Sequence, residues 1–249
     1  MMLAQERFEK ILELLRTEQS VTVAELTKKL NISESTIRRD LTALNDQGLL
    51  IKVHGGATAV KSVLSREEAV AQKSGKKLKE KRAIARYAAG CIGPEDFVYI
   101  DAGTTTELMV DFLTEKEAVY ITNGISHARK LMNAGYKVFL LGGEMKAVTE
   151  ATIGEDALEH LEKYNFTKGF FGTNGIDMER GYTTPDPKEA AVKKKALHHC
   201  GRAFILADKS KFHQISSVKF AEINEAEIIT EQLDDKRYQT LTVIKEVFS

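Results

Sequence analysis

Between Gln5 and Glu18 the apolar positions Phe8, Ile11, Leu12, Leu14 and Leu15 return at helical spacing, which predicts a first helix ending before Ser20-Val21-Thr22. Ala24, Leu26 and Leu30 mark a short second helix, with Thr22 at its N-cap and Glu25 completing a capping-box pattern. The turn Asn31-Ile32-Ser33-Glu34-Ser35-Thr36 leads to a third helix capped by Ser33. No box is expected there, because Thr36 rather than Glu stands three residues later. Ile37, Leu41 and Leu44 give this helix a buried stripe, and Gly48 sits where it should stop. Residues 49–53 then read as a strand, His54-Gly55-Gly56-Ala57 as a turn and Thr58-Ala59-Val60 as the returning strand. Three short helices followed by a hairpin predict a winged helix-turn-helix over residues 1–60.

The pattern changes past residue 80. An amphipathic helix through Ile84 and Ala88 leads into Phe97-Val98-Tyr99-Ile100, after which short apolar strands alternate with helical stretches. Strands are predicted at 118–122, 137–141, 168–172, 202–207 and 227–230, and helices at 105–113, 126–134, 155–164, 188–199 and 235–247. Such alternation means βαβ crossovers and an α/β domain with a mainly parallel sheet covered on both faces. No internal repeat is present. The expected division is a winged helix-turn-helix at 1–60, a basic linker at 61–78 and the α/β domain at 79–249.

The 249 residues are 43% hydrophobic and 29% charged, with three prolines, the profile of a globular chain without a long disordered tract. No apolar run approaches the length of a membrane helix, and Met1-Met2-Leu3-Ala4-Gln5-Glu6-Arg7 contains no signal-peptide core. Cys91 and Cys200 form no CxxC pair and no disulfide framework, so a cytoplasmic location without a membrane partner is expected. The net charge of zero hides an asymmetry: residues 1–86 hold 17 Lys and Arg against 11 Asp and Glu, and residues 87–249 hold 19 against 25. Residues 1–60 are balanced, so the excess lies in 61–86, in Lys73-Ser74-Gly75-Lys76-Lys77-Leu78-Lys79-Glu80-Lys81-Arg82. A cationic segment there is compatible with nucleic acid and equally with a solvated linker.

In a helix-turn-helix the second helix of the pair enters the major groove, its first turns nearest the bases. Ser33, Ser35, Thr36, Arg38 and Arg39 crowd those turns. Successive residues differ by about 100° around a helix, so Arg38 and Arg39 cannot serve one base pair; one is expected on a base edge and the other on a phosphate. Ser33 and Ser35 suit phosphate contacts at a helix start, and Lys52 and His54 on the wing would reach the backbone or the adjacent minor groove. The run Ser35-Thr36-Ile37-Arg38-Arg39-Asp40-Leu41, with Val53-His54-Gly55-Gly56-Ala57 downstream, resembles the signature of the DeoR family of bacterial transcription regulators. That resemblance implies double-stranded operator DNA as a partner and a sugar-phosphate sensor behind the reading head.

Phe97-Val98-Tyr99-Ile100-Asp101-Ala102-Gly103-Thr104-Thr105-Thr106 is a strand running into a helix through a glycine and three threonines. Gly103 permits close backbone approach, the N–H groups of a helix start attract an anion, and the hydroxyls of Thr104, Thr105 and Thr106 add donors. The stretch is neither a P-loop nor GxGxxG, and an ordinary capped turn looks the same. Asp101 would repel a phosphate, so it is assigned to a sugar hydroxyl or to holding the loop. Thr122-Asn123-Gly124, Gly142-Gly143, Gly172-Thr173-Asn174-Gly175 and Asp208-Lys209-Ser210-Lys211 fall at the same ends of their strands, where open parallel sheets bind ligands.

This half resembles the DeoR effector domain, which is related in fold to ribose-5-phosphate isomerase. A ribose-5-phosphate-isomerase-like α/β fold is therefore implied, and the resemblance covers nearly the whole chain. It lays Glu189 on the isomerases' catalytic glutamate and Lys211 on their phosphate-region lysine. Asn174 stands where they use an aspartate, and Arg180 where they use a lysine. An amide cannot act as a general base, so no catalytic residue is expected. Asn174, Arg180, Glu189 and Lys211 join Thr122 and Asn123 as effector-binding candidates. Gly172-Thr173-Asn174-Gly175 with Gly181-Tyr182-Thr183-Thr184-Pro185-Asp186-Pro187 resembles the fructose operon repressors of the family. That implies fructose 1-phosphate as effector, with galactitol, tagatose or other hexose phosphates as competitors.

His198-His199-Cys200 makes no metal site, because helix neighbours diverge and no carboxylate at i+4 completes the set. Neither metal nor cofactor is expected. One small reading head rarely supplies enough specificity, so self-association to a dimer or tetramer is expected. The alternatives are a phosphosugar isomerase with a DNA-binding appendage and a DNA-binding protein whose second domain only oligomerises.

Overall fold

The computed structural model describes residues 3–18, 20–59, 63–64, 75–233 and 235–248, which fall into two compact units, Met1–Ser62 and Val63–Ser249. The first unit runs α1 (Ala4–Glu18), β1 (Ser20–Thr22), α2 (Val23–Leu30), α3 (Glu34–Asp46), β2 (Leu50–Val53) and β3 (Gly56–Ala59). The capping box at Thr22 is formed in full: Glu25 N–H donates to the Thr22 hydroxyl at 3.2 Å and Thr22 N–H to the Glu25 carboxylate at 2.8 Å. Gly48 (φ +70°) ends α3 in a Schellman arrangement, its own N–H on the Asn45 carbonyl and the Leu49 N–H on that of Leu44. Ile11, Leu15, Leu26, Ile37, Leu41, Leu44 and Leu50 close one core beneath the hairpin.

Two details differ from the expectation. The turn is only His54-Gly55, since Gly56 and Ala57 already pair in β3. Ser20–Thr22, expected as a mere break, forms β1, so the sheet has three antiparallel strands in the order β1-β3-β2. A side chain at Gly56 would run into the Val21 carbonyl, which is why β1 approaches β3 so closely there.

The second unit begins with β4 (Val63–Leu64) and α4 (Leu78–Ala89), then β5 (Phe97–Ile100), α5 (Thr104–Met109), β6 (Val119–Thr122), α6 (Ile125–Asn133) and β7 (Lys137–Leu140). A short hairpin of β8 (Glu144–Lys146) and β9 (Ala151–Ile153) precedes α7 (Glu155–Leu161) and β10 (Phe166–Gly172). After β11 (Gly175–Asp177) and β12 (Gly181–Thr184) come α8 (Pro187–His198) and β13 (Cys200–Leu206), then β14 (Ile215–Ser216), β15 (Val218–Ala221), β16 (Glu227–Glu231) and β17 (Ile244–Val247). The main sheet has seven strands in the order β17-β16-β13-β10-β5-β6-β7, every neighbouring pair parallel. Alternation along the strands builds a core on each face. Val98, Ile100, Phe170, Phe204 and Leu206 pack with α4 and α6; Tyr99, Phe171, Ile205 and Ile228 pack with α7 and α8.

The helix expected at 235–247 is not there. A 3-10 segment, Lys236–Thr240, is followed by β17, which pairs in parallel with β16 at the sheet edge. Tyr238, Leu241, Ile244 and Val247 recur every third residue and so imitate a helical stripe. In the strand, Ile244 joins the core of one face and Val247 that of the other, as the period of two requires. The chain order also reverses between β5 and β10. From β5 it builds outward through β6 and β7, and from β10 outward through β13, β16 and β17. A crevice at the carboxyl ends of β5 and β10 follows from that reversal.

Candidate functional site

In the first unit the expected reading residues sit on one exposed surface. Ser33 caps α3, accepting the Thr36 N–H at 3.4 Å, and its hydroxyl shares hydrogen bonds with those of Ser35 (3.1 Å) and Thr36 (2.9 Å). Ile37 and Leu41 turn inward and leave Ser35, Arg38 and Arg39 exposed, with Thr36 half-buried. Arg38 lies 3.3 Å from Glu34 in an exposed i,i+4 pair, an arrangement of little strength, while Arg39 has no ion-pair partner among the described residues. Lys52 leans back on α3, its ammonium 2.7 Å from the Thr42 hydroxyl and its N–H 2.9 Å from Asn45 Oδ1. His54 is exposed at the tip beside Gly55, whose φ of +82° turns the hairpin. Asp40, the third member of the Arg38-Arg39-Asp40 run, is buried: Arg7 of α1 grips it with two hydrogen bonds of 2.7 and 2.9 Å. Sequence reading passed over this fork, whose only signal was a carboxylate at the inward position between Ile37 and Leu44.

In the second unit a cavity of about 390 Å³ opens at the carboxyl ends of β5, β10 and β13, within the usual size of a small-molecule site, roughly 300–1,000 Å³. Gly103, Thr104 and Thr105 line it from the β5 loop, Thr173 and Asn174 from the β10 loop, and Asp208, Ser210 and Lys211 from the β13 loop. Helix α8 contributes Glu189 and Lys193, and the approach to α4 contributes Lys76, Lys77 and Lys81. Five ammonium groups thus face a cavity whose carboxylates are already engaged. Glu189 accepts from the Thr149 hydroxyl and lies 3.3 Å from Lys146; Asp208 caps the following turn by accepting the Ser210 N–H at 3.0 Å. Lys81 is buried and donates to the Thr104 hydroxyl at 2.9 Å, while the ammonium groups of Lys77 and Lys211 have no partner among the described residues. The surplus is cationic, so the cavity suits an anion.

Beneath the lining lies a layer of fastened polar groups. Asp101 is buried against Lys193 in an ion pair and accepts the Gly172 N–H at 3.0 Å; burial raises its carboxyl above the ordinary range in spite of both partners. It therefore ties β5 to β10 and α8. Thr106 donates to the carbonyls of Asp101 (2.6 Å) and Gly103 (2.8 Å) and sits 3.1 Å from His127 Nε2. Burial pushes the His127 imidazole down to about 3, so it is neutral near pH 7. Thr122 donates to the Ile100 carbonyl at 2.6 Å, and Asn123 bridges Ala102 N–H (2.9 Å) to the Thr152 carbonyl (3.3 Å).

The expected effector residues therefore divide. Gly103, Thr104, Thr105, Asn174, Glu189 and Lys211 line the cavity. Asp101, Thr106, Thr122 and Asn123 lie outside the lining, with their polar atoms spent on neighbouring backbone or on Lys193. Arg180 is corrected more fully: it is exposed in the turn between β11 and β12, its N–H on Asp177 Oδ1 at 2.9 Å, and does not line the cavity. Lys193 and the lysines before α4 are lining residues that sequence reading missed. Lys193 was signalled only by its place one turn after Glu189 on the apolar stripe of α8. Lys76, Lys77 and Lys81 were counted with the basic stretch as linker or nucleic-acid contact.

Among the described residues no group of His, Cys, Asp and Glu is arranged to hold a metal, and no helix is long and apolar enough to cross a membrane. Residues 7–63 match the DeoR-like helix-turn-helix domain and residues 76–232 the DeoR C terminal sensor domain. The chain is 44% identical, over 99% of both sequences, to FruR of Bacillus subtilis (strain 168), described as an uncharacterized HTH-type transcriptional regulator. It is 32% identical to the lactose phosphotransferase system repressor of Staphylococcus aureus (strain N315), over 97% of this chain and 98% of that one. Among solved structures, the sorbitol operon regulator SorC from Klebsiella pneumoniae is similar at a TM-score of 0.40 and 12% identity, over 82% of this chain and 90% of that one. Ribose 5-phosphate isomerase A from Methanocaldococcus jannaschii is similar at 0.39 and 13%, over 53% of each. Likeness at that level carries no argument about activity. Two domain matches that span the reading head and the cavity, with a full-length relative at 44% identity, show that the chain belongs to the DeoR family of transcriptional regulators.

Proposed function

We propose that the protein is a cytoplasmic repressor of a sugar-utilisation operon, that a phosphorylated sugar occupies its lysine-lined cavity, and that fructose 1-phosphate is the favoured effector. The observation that carries the reading is the excess of ammonium groups around a cavity of hexose-phosphate scale at the β5/β10 crevice. Hydroxyl partners for the sugar stand beside them in Thr104, Thr105, Thr173 and Asn174. The name of one relative, a lactose phosphotransferase system repressor, supports a sugar-linked operon, and the HTH-type transcriptional regulator FruR supports a role in transcription. Operator contacts fall to Ser33, Ser35, Thr36, Arg38 and Arg39 on α3, with Lys52 and His54 on the wing. The chain acts as a dimer or tetramer, so that paired heads read repeated half-sites. Effector binding shifts the population between arrangements with different DNA affinity, typically by about 1–3 kcal/mol of coupling.

The test is fluorescence anisotropy of the full-length protein on DNA from upstream of its own operon, at fixed salt, titrated with a panel of sugar phosphates. Release by fructose 1-phosphate at lower concentration than by other hexose phosphates is the expected result. Tight DNA binding that no phosphosugar alters would overturn the sensor half, and turnover of a phosphosugar in an aldose–ketose assay would replace it with an enzyme.

A further inference from the structure

The lysines that complete the cavity come from an unexpected part of the chain. Lys76 and Lys77 precede α4 and Lys81 lies in its first turn, all three within the basic stretch of residues 73–82 near the start of the second unit. Lys77 holds φ +53°, a left-handed backbone that a lysine rarely adopts, and its carbonyl accepts the Lys81 N–H at 3.0 Å. The bend presents both side chains to the same cavity, Lys81 buried against Thr104 and Lys77 at the rim. A second attachment lies earlier in the chain. β4 pairs in parallel with β14, Val63 opposite Ile215 and Leu64 opposite Ser216. β14 continues the loop that brings Ser210 and Lys211 into the cavity. The segment leading from the first unit is thus fastened to the second at two places, one inside the cavity and one on the strand that follows its wall.

We propose that the start of α4 is itself part of the effector site, with Lys77 and Lys81 holding the anionic group of the ligand, so that occupancy is transmitted to the reading head through the segment these lysines belong to. The proposal rests on the sugar-phosphate reading of the cavity and adds its route of regulation. The cavity gathers the ammonium groups of Lys77 and Lys81 at the start of α4 and of Lys211 on the β13 loop. A phosphate neutralises them and draws Lys77, Lys81 and Thr104 together. Because Lys211 shares the cavity, the same event also biases the loop ahead of β14 and with it β4. Ligand affinity and ligand-driven release of DNA therefore part company by residue. Asn174, on the β10 side, affects only how much ligand is needed, whereas Lys77 affects what the bound ligand accomplishes.

The experiment compares the full-length protein with Lys77→Gln, Lys77→Arg and Asn174→Ala. Calorimetry reads fructose 1-phosphate binding, and anisotropy reads the ratio of operator affinities without and with saturating ligand. Asn174→Ala should weaken ligand binding about tenfold yet reach the wild-type ratio at saturation. Lys77→Gln should weaken it comparably and bring the ratio toward one, and Lys77→Arg should restore it. A Lys77→Gln protein that releases DNA as fully as wild type at saturation overturns the proposal while leaving the cavity reading intact. A wild-type protein that binds no sugar phosphate overturns both. A measurement on wild type alone supports this test: fructose 1-phosphate should protect the exposed Lys77 from amine acetylation, and undiminished labelling there counts against the proposal.

Discussion

The reading head and the sensor distribute function and stability in opposite ways. In the head, the core side chains Ile37, Leu41 and Leu44 and the exposed Ser35, Arg38 and Arg39 occupy opposite sides of α3, so the surface can be altered without touching the core. In the sensor, the groups that shape the cavity also hold the sheet together: Asp101 joins three elements, and Asn123 ties the β5 loop to β9. A surface that meets DNA must be reachable from outside, whereas a crevice between strand ends exists only while the strands are held apart at the right spacing. Binding specificity can therefore change residue by residue in the head. In the sensor it can change only at the rim.

The sharpest test of this contrast is Lys193→Met. It leaves the Asp101 carboxylate buried without its cation, and the sensor should lose about 3–5 kcal/mol in denaturant unfolding while the head's transition stays put. Adding Asp101→Asn should recover much of the loss, and a single variant of wild-type stability would show that the pair is dispensable. Acid separates the units next. His127 stays neutral when folded down to about pH 3. An unfolded histidine takes up its proton near 6.5, so the unfolded state binds more protons between those values and stability falls as pH falls. The slope is about 1.4 kcal/mol per pH unit, and His127→Gln should flatten it over pH 6.5–4.5 in the sensor alone.

In the head, Asp40→Ala breaks the fork to Arg7 and should cost about 1.5–3 kcal/mol without moving the sensor's transition. The smallest effects leave stability unchanged. Of Arg38→Ala and Arg39→Ala, one should relax operator selectivity by about 1–3 kcal/mol, and the other should weaken all sequences alike and reduce the salt slope by about one. Two variants that unfold the head, or that behave identically on DNA, would erase the distinction between surface and core drawn for α3.

What could be read from the sequence followed the same divide. Caps, stripes and a hairpin are local, so Thr22, Ser33 and Gly48 announced the head almost residue by residue. Short continuous apolar runs likewise announced β5, β6, β10 and β13, and with them the loops that reach the cavity. Long-range pairing was not legible. β1 was invisible until β3 supplied its partner, and β17 was hidden because its apolar residues recur every third position. The cavity suffered most from this. Whether Thr104 faces a ligand or Thr122 faces the Ile100 carbonyl depends on which loop lies above which, and Arg180 left the site because a hairpin turned it outward.

The reversal of chain order between β5 and β10 has a consequence in time. The reading head is complete once β3 has been made, whereas the cavity lacks a wall until Lys211 has followed β13. Domains fold from the N-terminus as they are synthesised, so each nascent chain passes through a stage at which it owns a finished head and no cavity. A chain cut short between those points keeps the core of the reading head but lacks the wall that closes the cavity. A stop between those points should therefore separate the two properties, leaving a head that folds without any cavity.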